Sequence, residues 1–165
     1  MVQKIALTGA HGVGKTTLAH ELCTSLRADC GLAAVLTAEV PRIVCDLASE
    51  PEFFRRGQNN ALKQMMLLYG QLEYEIAAAA KEPDIVICDR SVLDHWAYST
   101  YLFREVYEEA GVLDICEQLV EWHCRSYDRL YRIPIEFPPT DDGTREGDEA
   151  FQHAIEIVSR GVVYE

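Results

Sequence analysis

The chain lacks most of the features that would place it outside a reducing aqueous compartment. Its six cysteines, Cys23, Cys30, Cys45, Cys88, Cys116 and Cys124, include no Cys-x-x-Cys pair. They sit inside apolar patterns and read as small core residues rather than a disulfide framework. The five histidines, His11, His20, His95, His123 and His153, do not recur at zinc-ligand spacing. No apolar run approaches the 18 residues that a membrane helix requires. The first strand begins almost at once, without a charged-then-apolar leader. The expectation is a cytoplasmic protein with no membrane partner. Runs of Lys or Arg are absent as well. With 27 acids against 15 Lys plus Arg, the net charge is −12, a surface that repels a nucleic-acid backbone. The scattered arginines suit small anionic ligands better than long ones. There is no internal repeat, linker or low-complexity tract, although Ala77–Ala80 is locally biased. At 165 residues, nearly half of them apolar, residues 1–165 read as one domain with a proper core.

What the chain does contain is Gly9-Ala10-His11-Gly12-Val13-Gly14-Lys15-Thr16, directly after the apolar Ile5-Ala6-Leu7. This is the strand–GxxxxGK[ST]–helix pattern of a nucleoside-triphosphate P-loop, the Walker A motif. Glycines without Cβ let the chain turn tightly and point successive amides at phosphate oxygens. Lys15 supplies a point charge for the β- and γ-phosphates, and Thr16 a hydroxyl ligand for Mg²⁺. The following helix, with Leu18, Ala19, Leu22 and Leu26 on one face, aims its positive end at the triphosphate. Gly9, His11, Gly12, Val13, Gly14, Lys15, Thr16 and Thr17 form the candidate nucleotide-binding set, with ATP and Mg²⁺ as the expected ligands.

Strands and helices alternate beyond this point. The first strand is expected at Gln3–Thr8 and the second at Leu32–Thr37. A long helix is expected over 59–80, striped by Leu62, Met65, Tyr69, Leu72 and Ile76, after an interruption at 53–57. The third strand is Asp84–Asp89, followed by a helix to about Arg104 with Ser91-x-x-Asp94 as its capping box. Leu113, Cys116, Val120 and His123 stripe another helix, and Leu130–Ile135 form a fourth strand. A polar loop spans Pro138–Gly147, Asp148 caps a helix ending at Arg160-Gly161, and Val162–Tyr164 form a short edge strand. Such alternation implies an α/β fold in three layers with a mainly parallel sheet.

Ligands of open α/β sheets sit beyond the carboxyl ends of the strands. There the first strand delivers the P-loop, the second Glu39 and Arg42, the third Asp89 and Arg90, and the fourth the loop of Asp142 and Arg145. Each of the four ends bears an acid or a base, as a site for two anionic or polyhydroxylated ligands would. Gln71 and Glu75, one turn apart on the long helix, read as a solvated face. Trp96, Tyr98 and Phe103 read as core.

This combination resembles the P-loop nucleoside and nucleotide kinases. Asp89-Arg90-Ser91-x-x-Asp94-x-x-Ala97-Tyr98 and Asp142-Gly143-x-Arg145-x-x-Asp148 look like the nicotinamide-riboside-kinase-like branch, often labelled AAA-type ATPases, over Lys4 to about Arg160. The resemblance implies a five-stranded sheet of order 2-3-1-4-5 with a short lid at about 138–147. It further implies ATP-dependent phosphoryl transfer to a hydroxyl of a small nucleoside-like acceptor. Asp89 would be the general base, a ligand of Mg²⁺ through water, or both. Arg90 would hold the acceptor or the transferring phosphate through its bidentate fork. Arg145 would close over the triphosphate, and Lys15 completes the catalytic set. Glu39 would orient an acceptor hydroxyl, and Arg42 would meet an acceptor phosphate or carboxamide. Related kinases continue beyond the point where Glu165 falls, so the expected adenine pocket is either minimal or shared with a second subunit in a homodimer. The rival readings are a kinase acting on a nucleotide phosphate or on a modified nucleotide hydroxyl, including one in DNA, and a regulatory P-loop ATPase.

Overall fold

The computed structural model describes residues 2–37, 40, 61–103, 110–139 and 149–164. Glu39, Arg42, Asp142, Arg145 and Asp148, most of the expected lid, and the interruption at 53–57 lie outside the described residues. Within them the chain runs β1 (Gln3–Thr8), α1 (Lys15–Ala28), β2 (Ala34–Leu36), α2 (Ala61–Ala79), β3 (Ile85–Asp89), α3 (Val92–Phe103), α4 (Ala110–Cys124), β4 (Arg129–Arg132) and α5 (Glu149–Tyr164). No helix among the described residues is long and apolar enough to cross a membrane.

The strands form one parallel sheet of order β2-β3-β1-β4. β3 is buried along its whole length, and its two faces feed two different cores. Ile85 and Ile87 point to the side of α1, where they meet Leu7, Ala19, Cys23 and Ala34. Val86 and Cys88 point the other way, against Ala6 and Ala78 of α2. This is the period-two alternation of a strand covered on both sides, and it explains why β3 reads as continuous apolar sequence. Farther along, α2, α3 and α4 pack on one another through Leu68, Leu72, Val92, Leu93, Cys116 and Val120.

Three expectations are corrected. The described residues contain four strands, so the five-stranded sheet of order 2-3-1-4-5 becomes β2-β3-β1-β4, and the first four places agree. Val162–Tyr164 are the last turn of α5, not an edge strand. The buried residues Gln152, Ile155, Glu156 and Ser159 recur at three and four, a helical period that carries the chain through Gly161. The third correction is the phase of the helices. On α2, Leu72 is buried and Met65 packs against the same core as expected, but Leu62, Tyr69 and Ile76 are exposed, whereas Gln64, Gln71 and Glu75 are buried. The helix is apolar nearly all round, so hydrophobic spacing leaves its rotation undetermined. Polar pairing in the interior decides it. On α1, Leu18 is likewise exposed, and Ala19 and Cys23 face the sheet.

Ile87 lies at the centre of the sheet, fully buried between β2 and β1. Ile87→Ala is expected to destabilise the protein by about 2–5 kcal/mol in urea unfolding, the usual cost of a core cavity.

Candidate functional site

The chain leaves β1 at Thr8 and turns through Gly9–Gly14 into α1. Gly9, Gly12 and Gly14 have φ of 142°, 73° and 85°, values that side chains with Cβ resist. The constraint is tightest at Gly9, where a Cβ would stand 2.6 Å from the backbone oxygen of Ile133, just past β4. Gly14 sits in the left-handed region at the N-cap of α1, and among the described residues no side chain caps that end. The first-turn amides of α1 and its positive dipole end therefore point into the loop, which is the chemistry of a phosphate cradle. Lys15 is buried, and its Nζ donates to the carbonyl oxygens of Gly9 at 2.7 Å and Ala10 at 2.6 Å. Its ammonium is thus held across the mouth of the same loop. Thr16, in the first turn of α1, is half-buried, and Thr17 is exposed.

Two members of the expected nucleotide-binding set turn their side chains elsewhere. His11 is buried, its Nδ1 lies 3.0 Å from the Tyr98 hydroxyl, and its ring packs 5.4 Å from that of Phe151. Val13 is buried with Ala10 and Ile155. The carbonyl of His11 accepts from Gln152 Nε2 at 2.8 Å. At these positions the side chains anchor the loop to α3 and α5, and the backbone amides are what the motif offers to a phosphate.

β3 runs beside β1 with Leu7 opposite Asp89, which sets Asp89 and Arg90 next to the start of the P-loop. Asp89 is buried, and its amide donates to Thr37 Oγ1 at 3.3 Å, tying the end of β3 to the end of β2. Arg90 is also buried and has φ of 87°. A left-handed conformation in a non-glycine residue costs on the order of 1–3 kcal/mol and persists only where its surroundings enforce it. The structure therefore brings together Gly9–Thr16, Asp89 and Arg90.

Asp94 makes the junction. Its Oδ1 accepts from the Gly9 amide at 2.9 Å, while Oδ2 accepts from the amide and hydroxyl of Ser91 at 2.7 and 2.9 Å. The capping box was legible in Ser91-x-x-Asp94, but its second partner lies 85 residues away and left no local signal. Thr37 was missed for the same reason.

Burial sets the electrostatics around Arg90. His95 stands fully enclosed, and desolvation followed by the positive charge of Arg90 lowers its pKa from 6.5 to about 4. Burial likewise pushes the Tyr98 phenol up. Both groups are therefore neutral at pH 7.

Gly9→Ala should abolish binding of an ATP analogue in calorimetry, because the new methyl meets backbone and not a movable side chain. His95 gives a pH dependence whose sign is fixed. Between pH 6.5 and 4 the unfolded chain protonates this histidine and the native state does not, so stability falls as pH falls through that window. The difference reaches on the order of 3 kcal/mol by pH 4. Urea melts of His95→Gln should lack this part of the acid slope.

Comparison with known proteins agrees with this geometry. A family described as an AAA domain matches residues 4–160. The thymidylate kinase of Ehrlichia chaffeensis superposes with a TM-score of 0.68 at 21% identity, covering 98% of this chain and 86% of that one. The NadR protein, in a complex with NAD and AMP-PNP, gives a TM-score of 0.69 at 16% identity, covering 97% of this chain and 40% of that one. The chain thus spans less than half the length of NadR. No curated protein matches the chain. The protein belongs to this AAA domain family and has the fold of the P-loop nucleotide kinases.

Proposed function

We propose that the protein is an ATP-dependent phosphotransferase that moves the γ-phosphoryl group of ATP to a hydroxyl of a small nucleoside-like acceptor. One observation carries this reading. The P-loop and the Asp89–Arg90 turn stand side by side at the carboxyl ends of neighbouring parallel strands, and Asp94 accepts both from the Gly9 amide and from Ser91, the residue that follows the turn. A cradle for phosphate alone would fit any nucleotide-binding protein. A buried carboxylate and a buried guanidinium beside that cradle add what a transfer to a second substrate needs.

The residues divide the work as follows. The P-loop amides and Lys15 hold the β- and γ-phosphates and oppose the charge that spreads over the transferred group. Asp89 accepts the proton of the acceptor hydroxyl as its oxygen bonds to the γ-phosphorus and the bond to the β-γ bridging oxygen breaks, releasing ADP. Arg90 holds the acceptor or the phosphoryl oxygens through its planar fork, and Arg145 closes over the triphosphate. Glu39 and Arg42 orient the acceptor. Thr16 and Asp89 offer oxygen donors of the hard type that suits Mg²⁺, so they are the residues that would hold it. When bound, the ion supplies charge neutralisation between the β- and γ-phosphates.

A second reading keeps the fold and places the acceptor oxygen on a nucleotide phosphate. The likeness to thymidylate kinase, most of whose length is covered, favours it, and Arg90 would then grip that phosphate. The net charge of −12 argues against an acceptor within DNA.

Asp89→Asn keeps the size of the side chain and removes the base. It is expected to lower kcat by about two to four orders of magnitude, the usual worth of general base catalysis, in steady-state transfer assays. A variant that raised only KM would move Asp89 from chemistry to ground-state binding.

A further inference from the structure

Behind the Asp89–Arg90 turn lies a buried polar cluster that the steps above do not use. At its centre is Glu75 of α2, fully buried. Its Oε1 accepts from Gln71 Nε2 at 2.8 Å and from the Tyr127 hydroxyl at 2.9 Å. Its Oε2 lies 2.7 Å from His123 Nε2 and 3.4 Å from Lys4 Nζ, and Lys4 also donates to Ser126 Oγ at 3.0 Å. Burial alone would raise the pKa of Glu75, but the hydrogen bonds from His123 and Gln71 and the charges of His123 and Lys4 outweigh it and hold the carboxyl below its ordinary range. Tyr127 is driven the other way, well above its ordinary value, by burial and by the neighbouring charge of Glu75. The phenol therefore stays a neutral hydroxyl that can donate and accept at once.

Two members of the cluster reach past Glu75 to the turn. Gln71 Nε2 donates to the Arg90 carbonyl at 3.3 Å, and the Tyr127 hydroxyl accepts from the Val92 amide at 2.9 Å. Asp94 meanwhile takes the Ser91 amide. The Arg90 carbonyl and the Ser91 amide are the two polar ends of one peptide unit. Gln71 grips it from α2 and Asp94 from α3. A left-handed residue relaxes most directly by rotating an adjacent peptide unit, and here that rotation would break a buried hydrogen bond at either end.

We propose that Gln71, Glu75 and Tyr127 are positioning residues that hold Arg90 in its left-handed turn and so aim the Asp89–Arg90 pair at the transferred phosphoryl group. The inference rests on the phosphotransferase reading for its consequence, while the geometry it invokes is independent of the substrate. Glu75 sets the direction of the other two, because its Oε1 fixes the orientation of both the Gln71 amide and the Tyr127 hydroxyl.

The test uses the full chain with Gln71→Met and Tyr127→Phe, each alone and each combined with Arg90→Ala. Both substitutions keep the bulk of the side chain. Turnover is read as MgATP consumption, with and without candidate acceptors, and exchange of the Ser91 amide is read by NMR. Each single variant should lower kcat by roughly 10-fold to 10²-fold, the scale for a misplaced catalytic group, with KM for MgATP changed by no more than about twofold. In the Arg90→Ala background the further loss should shrink to the part that Asp89 alone suffers, since the cluster aims both members of the pair. The Ser91 amide, which Asp94 and not Tyr127 holds, should exchange at least about tenfold faster in Tyr127→Phe. Losses that multiply fully with Arg90→Ala, or an unchanged Ser91 exchange rate, would overturn the proposal. If Gln71→Met fails to fold, Tyr127→Phe, which keeps its ring, decides by the same two readouts. Wild-type protein that hydrolyses MgATP yet phosphorylates no acceptor would sink the phosphotransferase reading, and the coupling and exchange would still decide the role of the cluster.

Discussion

The site depends on one buried carboxylate. Asp94 sends one oxygen to the Gly9 amide and the other to the amide and hydroxyl of Ser91. It thereby joins the loop after β1 to the turn after β3. A carboxylate buried to this degree is tolerable only when its oxygens are hydrogen-bonded. Each of its partners is therefore held as firmly as Asp94 itself. Loss of any one would leave polar groups stranded in the interior, so the phosphate cradle and the Asp89–Arg90 turn keep a fixed spacing.

The surrounding architecture supplies the rest of that rigidity by close approach. Parallel pairing of β1 with β3 fixes Leu7 opposite Asp89, and pairing with β4 brings Ile133 against Gly9. Helix α5 closes the remaining side, with Gln152 on the His11 carbonyl and Phe151 on its ring. The loop is thus a stiff element with little freedom to rearrange. Such stiffness suits electrostatic catalysis, in which donors must already be aimed where charge develops.

Local signals in the sequence carried the frame of this site. β1 lies where the apolar run before the P-loop placed it, the P-loop glycines take the positive φ that the motif demands, and the acid expected at the end of β3 is its last residue. Signals that depend on tertiary packing were not legible. The phase of α2 was misread because the helix is apolar on nearly every face, and only the partners of Gln71 and Glu75 on other elements fix which side turns inward. Motif position named His11 for the loop but carried no signal of Tyr98 and Phe151, which its side chain meets. The end of the chain was misread as a strand because three apolar or aromatic residues after a glycine are too few to reveal a period. Asp94 shows the boundary most clearly, since its local capping partner was visible and its distant one was not.

The protein is acidic overall, yet two cationic residues, Lys15 and Arg90, are buried at the carboxyl ends of β1 and β3. Under the proposed function these groups serve transfer and not simple hydrolysis. The most direct measurement is to incubate the full chain with γ-³²P-ATP and Mg²⁺ against a panel of nucleosides, nicotinamide riboside, nucleotides and oligonucleotides, and to separate the products. A phosphotransferase should place label on a hydroxyl of a nucleoside-like acceptor, and form that product much faster than free phosphate. Label appearing only as inorganic phosphate, whichever acceptor is present, would contradict it.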